Sequence, residues 1–200
     1  MRKISIISVC LFAAVIIFYL MGCDSGPDKP TEENFKAPQV TLDRVELEHY
    51  FGYWYYSSAI KPTKGKNTGN TGGSPLDYAF IFEITNPNTF PVLMDGFSFS
   101  IALEEFALNR AICSETMWIP AGKTNQVRIH AMFDVNPALT SLLVTGGFKL
   151  KEKGLSGWEQ IEKWWTGAPD FSFPIHVTEG SAVFKADGMV KAVPFQATFP

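Results

Sequence analysis

Alternation with a period of two dominates the chain beyond Pro38. Tyr78, Phe80, Phe82 and Ile84 alternate with Ala79, Ile81, Glu83 and Thr85, and Phe97, Phe99, Ile101 and Leu103 alternate with Ser98, Ser100 and Ala102. In a third run Val127, Ile129, Ala131 and Phe133 face one way, and Gln126, Arg128, His130 and Met132 the other. Successive side chains of a strand point to opposite faces of its sheet, so each run predicts a strand with one face toward a core. Val40 to Leu47 and Phe51 to Ser58 are further strand candidates, the second rich in aromatic residues (Tyr53, Trp54, Tyr55, Tyr56). Near the end, Ala182, Phe184 and Ala186 lead into Asp187-Gly188, and Val193, Phe195, Ala197 and Phe199 follow. Glycine accepts the positive φ of a tight primed turn, so this pattern predicts a hairpin. Seven or more short antiparallel strands with few helices give an all-β fold, an antiparallel β-sandwich.

Two stretches leave the pattern. Lys61 to Pro75 is a Gly, Asn, Thr and Lys loop with Lys61, Lys64 and Lys66 as a small basic patch; Asn67 follows Gly65-Lys66 where a phosphate-binding loop needs Ser or Thr. From Asn136 to Gly167, one or two short helices precede the C-terminal hairpin. Pro137 starts a helix through Ala138, Leu139, Leu142 and Leu143 that is expected to end near Gly146 and Gly147. Trp158, Ile161, Trp164 and Trp165 fall on one arc of a second helix, opposite Glu159, Gln160, Glu162 and Lys163. The arc is the candidate interaction face. Either it packs on an end of the sandwich as core, or it stays partly exposed toward a membrane interface or partner, since tryptophan favours the headgroup zone. Trp164 is the member expected to be exposed.

The N-terminus changes the picture. Met1, Arg2 and Lys3 precede an apolar run from Ile4 to Tyr19, the layout of an export signal. Leu20-Met21-Gly22-Cys23 then resembles a bacterial lipobox. That resemblance implies cleavage after Gly22, a diacylglyceryl group on Cys23, and a domain held on the outer side of the cytoplasmic membrane, the periplasmic face if the cell is Gram-negative. An uncleaved membrane helix is the alternative, and it places the domain on the same side. Asp24 resembles an inner-membrane retention signal. Asp24 to Pro38 carries three prolines among polar residues and reads as a tether. The expected organisation is a signal peptide over 1–22, a lipidated tether over 23–38 and one domain over 39–200.

Losing residues 1–22 removes two of the 17 basic residues and no acidic one, taking the net charge from −3 to −5, which argues against a nucleic-acid partner. With 46% hydrophobic and 18% charged residues, the chain has enough apolar surface to fill one core.

Thr85-Asn86-Pro87-Asn88-Thr89-Phe90-Pro91-Val92 resembles the signature of the folded class of late embryogenesis abundant proteins, also called the water stress and hypersensitive response (WHy) domain family. The likeness continues through Phe97 to Leu103 and Trp118-Ile119-Pro120-Ala121-Gly122-Lys123-Thr124. It departs at Leu103-Glu104-Glu105-Phe106, where many relatives have a glycine turn, and at Lys149 to Gly167, which looks inserted. The resemblance implies a sandwich of immunoglobulin or fibronectin III type and a stress-related role, protective or interactive, against desiccation. A structural reason for the motif suffices. Asx side chains bond nearby backbone, and the prolines fix φ and end ladder pairing.

Chemistry is sparse. His49, His130 and His176 are widely separated and share no ligand spacing, so no metal or cofactor is expected; His130, in register with Arg128, reads as a surface residue. Glu104 and Glu105, adjacent in sequence, point to opposite sides and do not make a catalytic pair. Cys113 reads as a small buried apolar group. The expectation is a non-enzymatic domain whose partner is the membrane reached through its lipid; the alternative is a binding module for a lipid or other apolar ligand beside the Trp158–Trp165 helix.

Overall fold

The computed structural model describes residues 28–53 and 73–200. The segment 1–22 read as a signal peptide, Cys10, Cys23 and most of the Lys61–Pro75 loop lie outside the described residues. Of the run read as a strand from Phe51 to Ser58, Phe51 to Tyr53 follow the first strand outside any sheet, and the rest also lies outside.

Among the described residues, eight strands make two antiparallel sheets. β1 (Gln39–Tyr50), β2 (Leu76–Thr85) and β6 (Thr124–Phe133) form the first, in the order β1-β2-β6. β3 (Val92–Leu103), β4 (Phe106–Cys113), β7 (Ile175–Ala186) and β8 (Met189–Phe199) form the second, in the order β4-β3-β7-β8, with β5 (Met117–Ile119) paired to the start of β3. In fibronectin type III lettering these are A-B-E against C′-C-F-G. Two helices, α1 (Val135–Glu152) and α2 (Gly157–Gly167), fill the crossing from β6 to β7, as the sequence pattern places them.

The alternation meets at the middle. Phe80 and Phe82 of one sheet reach Phe97 and Phe99 of the other, with ring centroids 5.1 Å apart for Phe80–Phe99 and 4.9 Å for Phe82–Phe97. Phe195 of β8 closes on Phe97 at 4.7 Å. Phe80–Phe99 is edge-to-face and the other two pairs are tilted; aromatic pairs at such distances add about 0.5–1.5 kcal/mol beyond burial.

β2 is buried on both faces: the inner one meets the opposite sheet, and long side chains of β1 and β6 close over the outer one. On its outer face Ala79 lies between Glu46 and His130, and Ile81 between Arg44 and Arg128. An ion-pair lattice runs across them: Arg128 meets Glu46 at 2.6 Å and also pairs with Glu48, and Arg44 meets Glu46 at 2.6 Å. Aliphatic stems thus shield a strand whose own outer residues are small or apolar.

The segment read as a free tether is docked where it is described. Phe35 is buried against Phe90 with centroids 6.2 Å apart, and Lys191 stands over its ring. Thr89 Oγ1 donates to Asp28 Oδ2 at 2.9 Å. Phe35 is the one large apolar residue in this polar, proline-rich run, and it is the residue that seats the segment in the core.

α1 also departs from expectation. It passes through Gly146 and Gly147 and ends at Glu152, capped by Lys153, after which Gly154 takes a φ of +66°. Gly146 is there for close approach, since a Cβ would come within 2.5 Å of the Phe106 ring.

Candidate functional site

The Asn86-Pro87-Asn88 turn closes one end of the sandwich. Asn86 is fully buried, and its amide nitrogen donates to the carbonyls of Phe90 (2.9 Å), Ile119 (3.1 Å) and Pro120 (3.2 Å). Its Oδ1 accepts from the Asn88 backbone N–H at 3.0 Å and from Asn88 Nδ2 at 2.8 Å. Asn88 in turn brackets Lys36, accepting from its N–H at 2.7 Å and donating to its carbonyl at 2.9 Å. Two asparagine side chains therefore join the β2–β3 turn, the approach to β6 and the docked N-terminal segment. No amide atom is left over for a ligand, and the motif is a structural clasp.

A second clasp holds the opposite end. Glu104, in the β3–β4 turn, has a φ of +53°, a left-handed conformation that favours glycine. Its Oε2 accepts from Gln160 Nε2 at 2.7 Å and Trp164 Nε1 at 3.1 Å, and its Oε1 from Lys163 Nζ at 2.5 Å. Burial pushes the carboxyl up, but the bonds from Lys163, Trp164 and Gln160 outweigh it and hold it below the usual carboxylate range. Here lies the reason for a glutamate where the resemblance leads one to expect glycine: the side chain anchors α2. Glu105 diverges to pair with Lys153.

The predicted tryptophan face turns inward. Ile161, Trp164 and Trp165 are fully buried, and Trp158 is half-buried. Trp164 packs edge-on against Phe106 at 5.7 Å, and Trp165 Nε1 donates to the Ser74 carbonyl at 2.7 Å. Trp164, expected at the exposed edge of the arc, is thus among the best-buried side chains, because Glu104 supplies the acceptor that its indole N–H needs. α2 starts with a capping box: Ser156 Oγ accepts from the Glu159 N–H at 3.1 Å, and the Glu159 carboxylate accepts from the Ser156 N–H at 3.0 Å.

The remaining candidates are dispersed. His130 is exposed as expected and His49 is exposed too, and the strand register brings both to Asp77, with Nδ1 of His49 3.6 Å and of His130 3.1 Å from its Oδ2; His176 is half-buried and meets Thr198 Oγ1 at 2.9 Å. Cross-strand pairing of His49 with Asp77 could not be read without the β1 bulge between Leu47 and His49. Among the described residues no group of three His, Cys, Asp or Glu side chains could hold a metal ion. Tyr78, buried between Phe133 and Phe171, has its phenol raised by desolvation. Cys113, expected buried, is half-buried at the end of β4. The hollow between the Glu104–Glu105 turn and Pro174, His176 and Thr178 is about 540 Å³ and widely open to solvent.

No family model and no curated protein matches the chain. Solved structures similar to it include a protein from Archaeoglobus fulgidus, 9% identical, covering 80% of this chain and 94% of that one with a TM-score of 0.41. A Bordetella pertussis protein assigned as ApaA is 12% identical, covering 82% and 93%, at 0.36. A protein assigned to the late embryogenesis abundant group, solved in solution, is 12% identical, covering 96% and 88%, at 0.27. All three are distant likenesses.

Proposed function

We propose that this chain is a non-enzymatic protein anchored through a lipid on Cys23 to the outer side of the bacterial cytoplasmic membrane, with a protective or interaction role under water stress. The observation that carries the reading is the Asn86–Asn88 clasp. The residues that give the chain its resemblance to the water-stress domain family are spent in building a rigid sandwich end, and that end also holds the segment leading from Cys23. A stiff domain at the membrane surface, with its polar groups directed into its own scaffold, fits a role exercised by surface and position rather than by turnover. The reading of α2 as one wall of an apolar ligand groove has no support from Ile161, Trp164 and Trp165, which present no surface to a ligand.

The test is metabolic labelling with a palmitate analogue in cells carrying the parent or Cys23→Ser, followed by survival after drying. Label is expected on the parent alone, and drying survival should fall in the variant. Equal labelling refutes the anchor, and equal survival with unequal labelling refutes the stress role.

A further inference from the structure

The docked N-terminal segment fixes which end of the domain lies close to Cys23. Asp28 Oδ2 accepts from Thr89 Oγ1 in the β2–β3 turn, and Phe35 and Lys36 seat the chain beyond it on Phe90 and Asn88. Five residue steps lead from Cys23 to Asp28, at most about 17 Å of extended chain. β3 runs 12 residues from this end to the Glu104 turn, a length of about 36 Å, so α1 and α2 belong to the far end. The tethered end carries two exposed apolar side chains of its own. Strand pairing sets Trp118, Leu93, Lys185 and Val190 in one row across the outer face of the second sheet. Trp118 is 60% exposed and Val190 58%. Between them Lys185 is neutralised by Asp95, with Nζ 2.5 Å from Oδ2, so the row carries no net charge. Val190 also borders the hollow that Glu32 and Phe35 of the docked segment make with the β7–β8 hairpin.

We propose that this row rests on the bilayer that holds Cys23, with the Trp118 indole at the headgroup boundary. The inference rests on the membrane-anchored reading, which supplies the bilayer. Tether length selects the occupant. A chain of at most about 17 Å cannot bridge a folded partner, since even a small domain is about 30 Å across, so the surface nearest to this end is the membrane itself. The same limit keeps the domain from inverting, because the Glu104 end lies about twice that distance away along β3. An indole, apolar in its body and polar at its N–H, suits the boundary between acyl chains and headgroups.

The experiment uses the full chain, purified from a bacterial host and held in vesicles of phosphatidylcholine and phosphatidylglycerol in equal parts. Photoreactive benzoylphenylalanine replaces Trp118 or, for contrast, Phe148, which is 88% exposed on α1 at the far end. Neither side chain belongs to the core, so both variants fold. Lipid adducts at position 118 should exceed those at 148 several-fold. A Gly-Ser insertion of about twenty residues between Gly26 and Pro27 makes the tether about five times longer, which lowers the effective concentration of the domain at the surface about tenfold, and adducts at 118 should fall with it. Equal adducts at the two positions overturn the proposal, as do adducts at 118 that ignore the insertion or cross-linking of position 118 to a second copy in place of lipid. The intact mass reports the acyl group on Cys23 separately. Its absence refutes the lipoprotein reading and leaves the proposal open to the same readout, because the apolar run Ile4 to Tyr19 still holds the chain in the vesicle.

Discussion

Removing the Glu104 carboxylate should be among the most damaging single changes at the helix end of the domain. Its two inner partners, Trp164 Nε1 and Gln160 Nε2, belong to residues only 0% and 2% exposed, so in Glu104→Ala both donors lose their acceptor with little water to replace it. Each stranded buried donor costs about 1–3 kcal/mol. The Lys163 contact, on a lysine side chain 55% exposed, adds at most about 1 kcal/mol. Alanine also keeps the left-handed backbone, so the loss should be about 3–5 kcal/mol. Glu104→Gly loses the same bonds but relieves a backbone penalty of about 1–2 kcal/mol. Glu104→Gln keeps one acceptor oxygen and should lose only about 1–2 kcal/mol. Urea unfolding followed by tryptophan fluorescence gives the ranking directly, with the expected order of midpoints parent, Gln, Gly, Ala. A glycine variant as stable as the parent would show that the clasp contributes nothing net, and equal midpoints for Ala and Gly would remove the argument from backbone conformation.

Further outcomes follow from the same geometry. Asn86→Ala should cost about 2–4 kcal/mol by calorimetric midpoint, since three carbonyls and two Asn88 donors lose one buried partner, and Asn88→Ala should cost less. Trp164→Ala should cost about 3–5 kcal/mol in urea, and the half-buried Trp158→Ala distinctly less. Gly146→Ala, though favourable to an isolated helix, should destabilise by about 1–3 kcal/mol because its methyl meets Phe106. The carboxyls of Glu46, Glu104, Glu105 and Glu159 are all held below their usual range when folded, so their stabilisation is complete above the unfolded carboxylate value near pH ~4.3. It should be lost as pH falls through the folded values, and Glu104→Gln should flatten that acid limb in a pH series of melting curves.

Legibility in the sequence followed the kind of force at work. β2, β3 and β6 were readable because one face of each meets the opposite sheet, and the Asp187-Gly188 hairpin because both residues take positive φ, +46° and +82°. β4 does not stand out in the period-two pattern: it is an edge strand packed by α1, so its burial does not alternate cleanly. The first half of β7 was missed because a bulge at Glu179 and Gly180 breaks its period, with Glu179 at a φ of +50°. The helix stop was misplaced because glycine serves both as a terminator and as a gap for a neighbour, and only the position of Phe106 separates the two at Gly146. Trp164 was placed on the right arc but given the wrong environment, since its hydrogen-bond partner lies 60 residues away in the chain.

The way α1 lies along β4 has a consequence for behaviour on drying. β4 is an outer strand, and an outer strand offers unpaired backbone groups to any chain that approaches. Here Ser141, Thr145 and Lys149 donate side-chain bonds to the carbonyls of Leu108, Ala107 and Glu105, which are thereby withdrawn from strand addition. At the other margin of the sheet, β8 carries Pro194, which has no N–H to offer. Loss of water raises protein concentration steeply, and two blunted margins would keep neighbouring copies from pairing through this sheet as the solvent leaves.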